Sequence, residues 1–223
     1  MPMKLLIRSL VKFIVGMVGL SCMLFLPAGT FHYPNGWLFI GLLSVPMIAM
    51  GTVMLLKSPT LLESRLDGKE KMGAQKLVVL AFALIFLSAF VVSALDFRFG
   101  WSRVPTPVVI VGSVLFLVGY ALYAEVSREN AYLSRTIEVQ EEQTVVDTGL
   151  YGLVRHPMYF ATLFMFLPLP LILGSLWGLV PIAFYPPVIV YRLLNEEKFL
   201  RQSLRGYEEY CKKVKYRLIP FLF

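Results

Sequence analysis

The sequence is poor in charge, cysteine and histidine. Only 16% of its 223 residues are charged and 57% are hydrophobic, whereas soluble domains have about a quarter charged residues. Its two cysteines, Cys22 and Cys211, are too far apart in the chain to indicate a disulfide framework or a CxxC metal motif. His32 and His156 are the two histidines, too few for a histidine-rich metal centre. The composition predicts a membrane protein without a bound metal.

Charge is absent from several long apolar runs. A helix needs about 20 apolar residues to cross the hydrocarbon core of a bilayer. Four uncharged runs of about this length precede residue 125, namely 13–29, 36–56, 77–95 and 104–124. We therefore expect four membrane-spanning helices in the first part of the chain.

A longer uncharged stretch runs from His156 to Tyr191. As one helix it would be much longer than a bilayer is thick. The sequence GSLWG at 174–178 provides a turn near its middle, and prolines interrupt helices. The prolines that would loosen the helices on either side of this turn are Pro168, Pro170, Pro181, Pro186 and Pro187. We predict a hairpin of two short helices, which brings the total to about six membrane crossings in an all-α polytopic fold.

Lysine and arginine are distributed unevenly among the connections. Residues 30–36 and 174–178 contain neither, whereas the C-terminal tail from residue 192 onward is rich in both. Six crossings with both termini in the cytoplasm put nearly all positive charge on one side, as the positive-inside rule requires. Attraction to anionic lipid headgroups then explains the net charge of +7 without nucleic acid as a partner.

The chain changes character near residue 125. Residues 1–125 contain four apolar runs, and residues 126–223 contain ordered polar motifs around the hairpin. We predict an N-terminal four-helix membrane region and a catalytic region facing the cytoplasm. Apolar residues recur at helical spacing in the tail at Leu193, Leu200, Leu204, Tyr207, Cys211 and Val214. This spacing predicts a cytoplasmic amphipathic helix, with a break at Gly206.

The motif GLYGLVRHPMY, residues 149–159, lies at the start of the hairpin. A residue before proline avoids helical geometry and proline favours the first helical position, so a helix should begin at Pro157. Helix N-termini attract anions, and Arg155 and His156 add cationic groups there. A capped helix start with an arginine at the membrane edge accounts for this motif equally well when it is taken alone.

A second polar motif, YRLLNEE, follows the hairpin. Arg192 and Glu196 are four residues apart and therefore share one helical face, whereas Glu197 lies well round the helix. A pair at this spacing is commonly a surface ion pair. If the hairpin returns to the same membrane face, however, the pair comes back beside His156 and Tyr159. This convergence predicts a site.

These motifs carry a family resemblance. TGLYGLVRHPMY, the apolar hairpin, RLLNEEKFL, GYEEYCKKV and YRLIPF, over roughly residues 136–221, resemble the isoprenylcysteine carboxyl methyltransferase family, which is similar to phospholipid methyltransferases. The resemblance implies an integral membrane methyltransferase that uses S-adenosylmethionine and a lipophilic acceptor, with carboxyl O-methylation as the implied chemistry. It also implies that Arg192 orients the acceptor and acts in catalysis together with Glu196.

The resemblance further implies which residues bind the cofactor. They belong to the polar loop before the hairpin, the RHPxY turn and the RxxxEE motif. They are Gln140, Gln143, Thr144, Val145, Val146, Tyr151, His156, Pro157, Met158, Tyr159 and Glu196.

Two other interpretations stay open at this point. Membrane sterol reductases that use NADPH share an RHPxY-like turn near an acidic motif. A non-catalytic scaffold or lipid-binding protein could use Lys212, Lys213, Lys215 and Arg217 as a surface anchor. The acceptor also stays open, with a prenylated cysteine, an aminophospholipid, a small thiol and a quinone-like lipid as candidates.

Overall fold

The computed structural model describes residues 3–66, 73–130, 132 and 143–223. Throughout this part of the chain the secondary structure is helical, without strands. The elements before residue 130 are α1 (Met3–Ala28), α2 (Pro34–Lys57), α3 (Pro59–Leu66), α4 (Gly73–Phe99) and α5 (Thr106–Glu129). Among the described helices, α1, α2, α4 and α5 are long and apolar enough to cross a membrane. The predicted all-α membrane fold is confirmed, while the total of six crossings and the placement of the termini stay predictions.

The four long helices expose much of their apolar surface. Between 11% and 28% of the most apolar window of each one is buried inside the protein, and large side chains such as Val15, Val45 and Leu77 are exposed. Apolar surface of this extent is typical of contact with lipid tails. Helix α5 runs without interruption through residue 125, the predicted boundary between the two regions.

The uncharged stretch after His156 forms several short helices. These are α6 (Pro157–Phe166), α7 (Leu169–Ile172), α8 (Leu179–Ile182) and the longer α9 (Tyr185–Ser203). Pro168 separates α6 from α7, and prolines follow the first residue of α9. These breaks agree with the loss of backbone donors that proline causes.

Polar side chains at the start of α2 satisfy carbonyl groups that the broken helices leave free. The Tyr33 hydroxyl donates to the Leu173 carbonyl (2.6 Å), and the Asn35 amide donates to the Ile172 carbonyl (2.7 Å). Tyr33 is fully buried. A broken helix is tolerated in an apolar environment only when its free backbone groups find such partners, so this end of α2 stabilises the interruption between α7 and α8.

Asp96, near the end of α4, attaches the 174–178 turn to the bundle. Its buried carboxylate accepts hydrogen bonds from the Ser102 N–H (2.6 Å), the Ser102 hydroxyl (2.5 Å) and the Ser175 hydroxyl (2.5 Å). Helix α5 starts beside this cluster, and its 24 residues span about 35 Å. The turn therefore lies at the opposite end of the bundle from the last residues of α5.

The tail forms two helices and then folds back. Helix α9 ends at Ser203 and α10 covers Tyr207–Lys213, with Gly206 between them at a φ of 86°. A left-handed backbone of this kind favours glycine, and the predicted break at Gly206 is confirmed. The apolar residues of the predicted amphipathic face, including Leu204, Tyr207 and Val214, pack against one another and against Val145.

Candidate active site

The RHPxY turn starts α6 at the predicted residue. His156 is the N-cap, with non-helical dihedral angles (φ −123°, ψ 62°), and Pro157 is the first residue of the helix. Arg155 and His156 are 8% and 6% exposed, so neither is a side chain that reaches out to the headgroups. Their backbone N–H groups donate to the carbonyls of Tyr216 (2.9 Å) and Arg217 (2.8 Å). The turn is held from behind by the C-terminal segment.

A short 3₁₀ turn, Gly149–Gly152, leads into this corner. The Glu129 carboxylate, at the end of α5, accepts a hydrogen bond from the Leu150 N–H (3.0 Å). Gly149 has a φ of 52°, which favours glycine, and a Cβ there would lie 1.5 Å from the Glu129 carboxylate, so a side chain at this position would displace Glu129. The Asn130 amide donates to the Tyr151 hydroxyl (2.8 Å). These contacts fix Tyr151 beside the end of α5.

Helix α9 brings the second motif to the first. The Tyr159 hydroxyl accepts a hydrogen bond from Arg192 Nε (2.9 Å) and donates one to Glu196 Oε2 (2.5 Å). Arg192 and Glu196 thus meet on one phenol, and the stretch between the two motifs returns its polar ends to one place. The bonds to charged groups make this arrangement stronger than neutral hydrogen bonds would.

Glu197 lies on the other side of α9 and pairs with the residues of the RHPxY turn. Its carboxylate is 3.0 Å from Arg155 Nε, 3.3 Å from His156 Nε2 and 3.1 Å from Arg217 Nε. Burial alone would raise the pKa of Glu197, but the hydrogen bond with His156 and the charges of His156 and Arg155, together with the Arg217 bond, lower this pKa to about 2. Glu197 is therefore an ionised carboxylate that orders the cationic corner.

A pocket opens between the two motifs and the loop before the hairpin. Its lining residues are Asn130, Tyr132, Gln143, Thr144, Val145, Val146, Tyr151, Arg155, His156, Pro157, Met158, Tyr159, Arg192, Glu196, Leu200, Leu204, Tyr207 and Tyr210. All the site residues named from the sequence lie in this wall except Gln140, which falls outside the described residues. The structure therefore brings the sequence-predicted residues together, while their roles stay predictions.

Sequence reasoning missed two kinds of residue. Glu197 was not named as a site residue because it lies on a different face of the helix from Glu196. A carboxylate that becomes buried needs a cationic partner, and this requirement was the signal that could have identified it. Tyr207 was predicted only as part of an amphipathic face and Tyr210 was not singled out, yet both line the pocket. Tyr210 donates to the Tyr151 carbonyl (2.8 Å), whereas the buried Tyr207 hydroxyl has no hydrogen-bond partner among the described residues.

The basic tail was considered as a surface anchor, and two of its cations instead contact carboxylates of the protein. Lys213 forms an ion pair with Asp147 (2.5 Å), and Arg217 forms one with Glu197. Neither cation is simply directed towards a membrane surface. The tail contributes to the architecture of the pocket.

The pocket combines groups of opposite charge with aromatic and apolar walls. Arg155, Arg192 and His156 supply cationic or donor groups, and Glu196 supplies a carboxylate. The first turn of α6 adds backbone N–H groups that have no acceptor within the helix. Such a pocket suits a zwitterionic molecule with a flat heterocyclic portion. The Tyr207 hydroxyl, which has no hydrogen-bond partner in the described part of the chain, marks a point where a ligand could accept or donate a hydrogen bond.

Comparison with known families places this pocket in a recognised domain. Residues 107–206 match the family described as phospholipid methyltransferase. The matched segment begins in α5, contains both polar motifs and ends at Gly206. The resemblance predicted from the motifs is confirmed for this segment, which carries a membrane methyltransferase type of domain.

A curated relative is named for a different activity. Over 131 residues, 52% of this chain and 31% of that protein, the chain is 28% identical to Delta(14)-sterol reductase TM7SF2 of Mus musculus. The chain thus spans less than a third of the length of this relative. The comparison supports a shared domain. It names a different type of reaction from the family match, so the two comparisons together do not assign the reaction.

Proposed function

We propose that the protein is an integral membrane methyltransferase that transfers a methyl group from S-adenosylmethionine to a lipophilic acceptor. The observation that carries this proposal is the pocket in which the RHPxY turn and the Arg192–Glu196 pair meet on the Tyr159 hydroxyl. The family match over residues 107–206 supports the same reaction class.

The pocket residues fit the charges of the cofactor. Its carboxylate is matched by the Arg155–His156 corner and the first turn of α6, and its ammonium by Glu196. Tyr151 and Tyr207 offer aromatic surface, and the Tyr207 hydroxyl has no hydrogen-bond partner among the described residues, so it can bind a polar group of the cofactor. Gln143 and residues 144–146 also line the pocket. When bound, S-adenosylmethionine supplies an electrophilic methyl group on a positively charged sulfur.

Arg192 is assigned to the acceptor. Its guanidinium is buried, is held by Tyr159, and stands where the apolar stretch ends, so an acceptor whose tail lies in the bilayer would bring its polar end to it. A carboxylate acceptor is already nucleophilic and needs only orientation and exclusion of water. An amine or thiol acceptor must also lose a proton, and Glu196 or His156 is the base available to take it.

Binding measurements on purified protein test the cofactor assignment. We expect S-adenosylhomocysteine to bind the wild type and to lose most of its affinity in Glu196→Gln and in His156→Ala. The matched control is Glu209→Gln, an exposed carboxylate in α10, which should bind as the wild type does. Unchanged affinity in both site variants would contradict the assignment of Glu196 and His156 to cofactor binding.

The acceptor is found by labelling. Membranes and purified protein are incubated with methyl-labelled S-adenosylmethionine, and the product that carries the label is extracted and identified. A lipid-soluble product that loses its label in base indicates a methyl ester, and one that keeps it indicates methylation of nitrogen or sulfur. Absence of any labelled lipophilic product would contradict the proposal.

Reduction of a sterol-like double bond with NADPH is the second candidate, favoured by the similarity to the mouse sterol reductase. The two candidate reactions are distinguished by measuring which ligand, S-adenosylhomocysteine or NADPH, raises the melting temperature of the protein. We expect S-adenosylhomocysteine to raise the melting temperature and NADPH to leave it unchanged. The opposite pattern would favour the reductase.

A further inference from the structure

The last ten residues, 214–223, form a C-terminal strap that passes behind the pocket. The strap is tied to the RHPxY turn by two backbone hydrogen bonds, from the Arg155 and His156 N–H groups to the carbonyls of Tyr216 and Arg217. Leu218 is buried in the main core, and Phe223 packs against the same core. The strap is therefore an integral part of the fold, although its sequence is basic.

Arg217 is the strap residue that reaches the charged corner. Its Nε lies 3.1 Å from Glu197 Oε2, while Arg155 and His156 contact the other carboxylate oxygen of Glu197. The Arg217 guanidinium also lies over the Phe223 ring (5.4 Å). Glu197 is thus shared between the pocket wall on one side and the strap on the other.

Glu197 does not line the pocket, whereas Arg155 and His156 do. A buried carboxylate needs compensating charge, and its bonds fix the orientation of the groups that provide it. When Arg217 occupies one oxygen of Glu197, the carboxylate is held in the position from which its other oxygen orients Arg155 and His156. Without Arg217, Glu197 Oε2 loses this partner, and the contacts of Oε1 with Arg155 and His156 are left to orient the carboxylate.

We infer that Arg217 is a positioning residue for the cofactor side of the pocket and acts through Glu197. The strap thus orients Arg155 and His156, which line the pocket, without lining it itself. This inference rests on the proposed function for its ligand. It assigns to the tail a role in the pocket in place of a role as a basic membrane anchor.

The test measures affinity for S-adenosylhomocysteine in the full-length protein. The variants are Arg217→Gln, Arg217→Lys, Glu197→Gln and the double variant with Arg217→Gln and Glu197→Gln. The matched control is Lys215→Gln, which removes one positive charge from an exposed side chain of the same strap. Melting temperatures are recorded for all variants, so that affinity is compared on folded protein.

We expect Arg217→Gln to weaken binding about fivefold, as the loss of a partly exposed charged bond would. Arg217→Lys should restore most of the affinity, and Lys215→Gln should bind as the wild type does. Because Arg217 acts through Glu197, its substitution should have no further effect in the Glu197→Gln background. Wild-type affinity in Arg217→Gln, an equal loss in Lys215→Gln, or additive losses in the double variant would overturn the inference.

Amide hydrogen exchange at residues 155 and 156 separates this inference from the proposed function. If the wild type does not bind S-adenosylhomocysteine at all, the proposed function fails. The amide exchange rates still test whether Arg217 orders the RHPxY turn, because this measurement needs no ligand. We expect these amides to exchange faster in Arg217→Gln than in the wild type and in Lys215→Gln, because they donate to strap carbonyls. Equal exchange rates would show that Arg217 does not hold the turn.

Discussion

The Tyr159 hydroxyl is the atom at which the two polar motifs meet. It accepts from Arg192 and donates to Glu196, so one phenol sets the position of a cation and of a carboxylate. Because Tyr159 is the third residue of α6 and is buried, packing fixes its orientation. The proposed acceptor side and cofactor side of the pocket are therefore coupled through this side chain.

Replacement of Tyr159 by phenylalanine tests this coupling. Tyr159→Phe keeps the ring but leaves Arg192 and Glu196 without their shared partner, and we expect the rate of methyl transfer to fall roughly tenfold. Tyr191→Phe, an exposed hydroxyl next to Arg192 in the chain, is the control and should keep the wild-type rate. Equal rates in the two variants would contradict the coupling.

Glu197 links stability to pH. Its pKa is lowered in the folded protein from 4.5 to about 2, so the folded state binds a proton less readily than the unfolded state. This stabilisation is complete above pH about 4.5 and is lost as the pH falls towards about 2.

Glu197→Gln removes the carboxylate and leaves its cationic partners without compensation. We expect its melting temperature at neutral pH to be lower by about 5–10 °C. The difference between the wild type and the variant should shrink as the pH falls from about 4.5 towards 2. A difference that stays constant over this range would show that ionised Glu197 does not contribute this stability.

The contact between α5 and α6 depends on a glycine. A Cβ at Gly119 would lie 2.8 Å from the Ala161 carbonyl oxygen and from the Met165 backbone nitrogen. Backbone atoms cannot move aside as the end of a flexible side chain can, so the helices approach this closely only because the position carries no side chain. The approach sets the position of α6, whose first turn lies in the pocket.

Gly119→Ala should therefore separate the two helices. We expect a melting temperature lower by about 5 °C, as for an overpacked core position, and weaker S-adenosylhomocysteine binding. Gly16→Ala in α1 is the matched control, since nothing lies within 4 Å of a Cβ at that position. If the two variants were equally stable, the helices would not be in the close contact described.

At the scale of the whole molecule, the pocket and the 174–178 turn lie at opposite ends of the bundle. Tyr33, Asn35 and Asp96 hold the turn at one end, and the end of α5 lies beside the pocket at the other. The separation of about 35 Å along α5 exceeds the thickness of about 30 Å of a hydrocarbon core. Six crossings with cytoplasmic termini, predicted from the distribution of lysine and arginine, stay a prediction.

Single cysteines test the topology, because the chain has only Cys22 and Cys211 to replace. In a variant with both changed to serine, we expect Trp177→Cys to react with a membrane-impermeant thiol reagent only from the side of the membrane opposite to the cytoplasm. Lys212→Cys should react only after the membrane is opened, since the tail is predicted to be cytoplasmic. Both side chains are exposed in the structure. Reaction of both from the same side would exclude the six-crossing arrangement.

The sequence by itself determined the features that depend on neighbouring residues. Apolar runs of membrane length, the helix start at Pro157 and the break at Gly206 each follow from local sterics or from hydrophobicity. The motifs also indicated that His156, Tyr159, Arg192 and Glu196 belong together, because a hairpin returns its two ends to one place. These expectations needed no knowledge of the rest of the fold.

Only the tertiary structure decided which charged groups pair. Glu197 meets His156 across 41 positions of the chain and Arg217 across 20, and no periodicity relates residues so far apart. The burial of Asp96 and the path of the strap likewise depend on how the broken helices pack. Ionised groups lose water when they are buried, so each takes whatever partner the packing brings within reach. That partner is a property of the assembled fold.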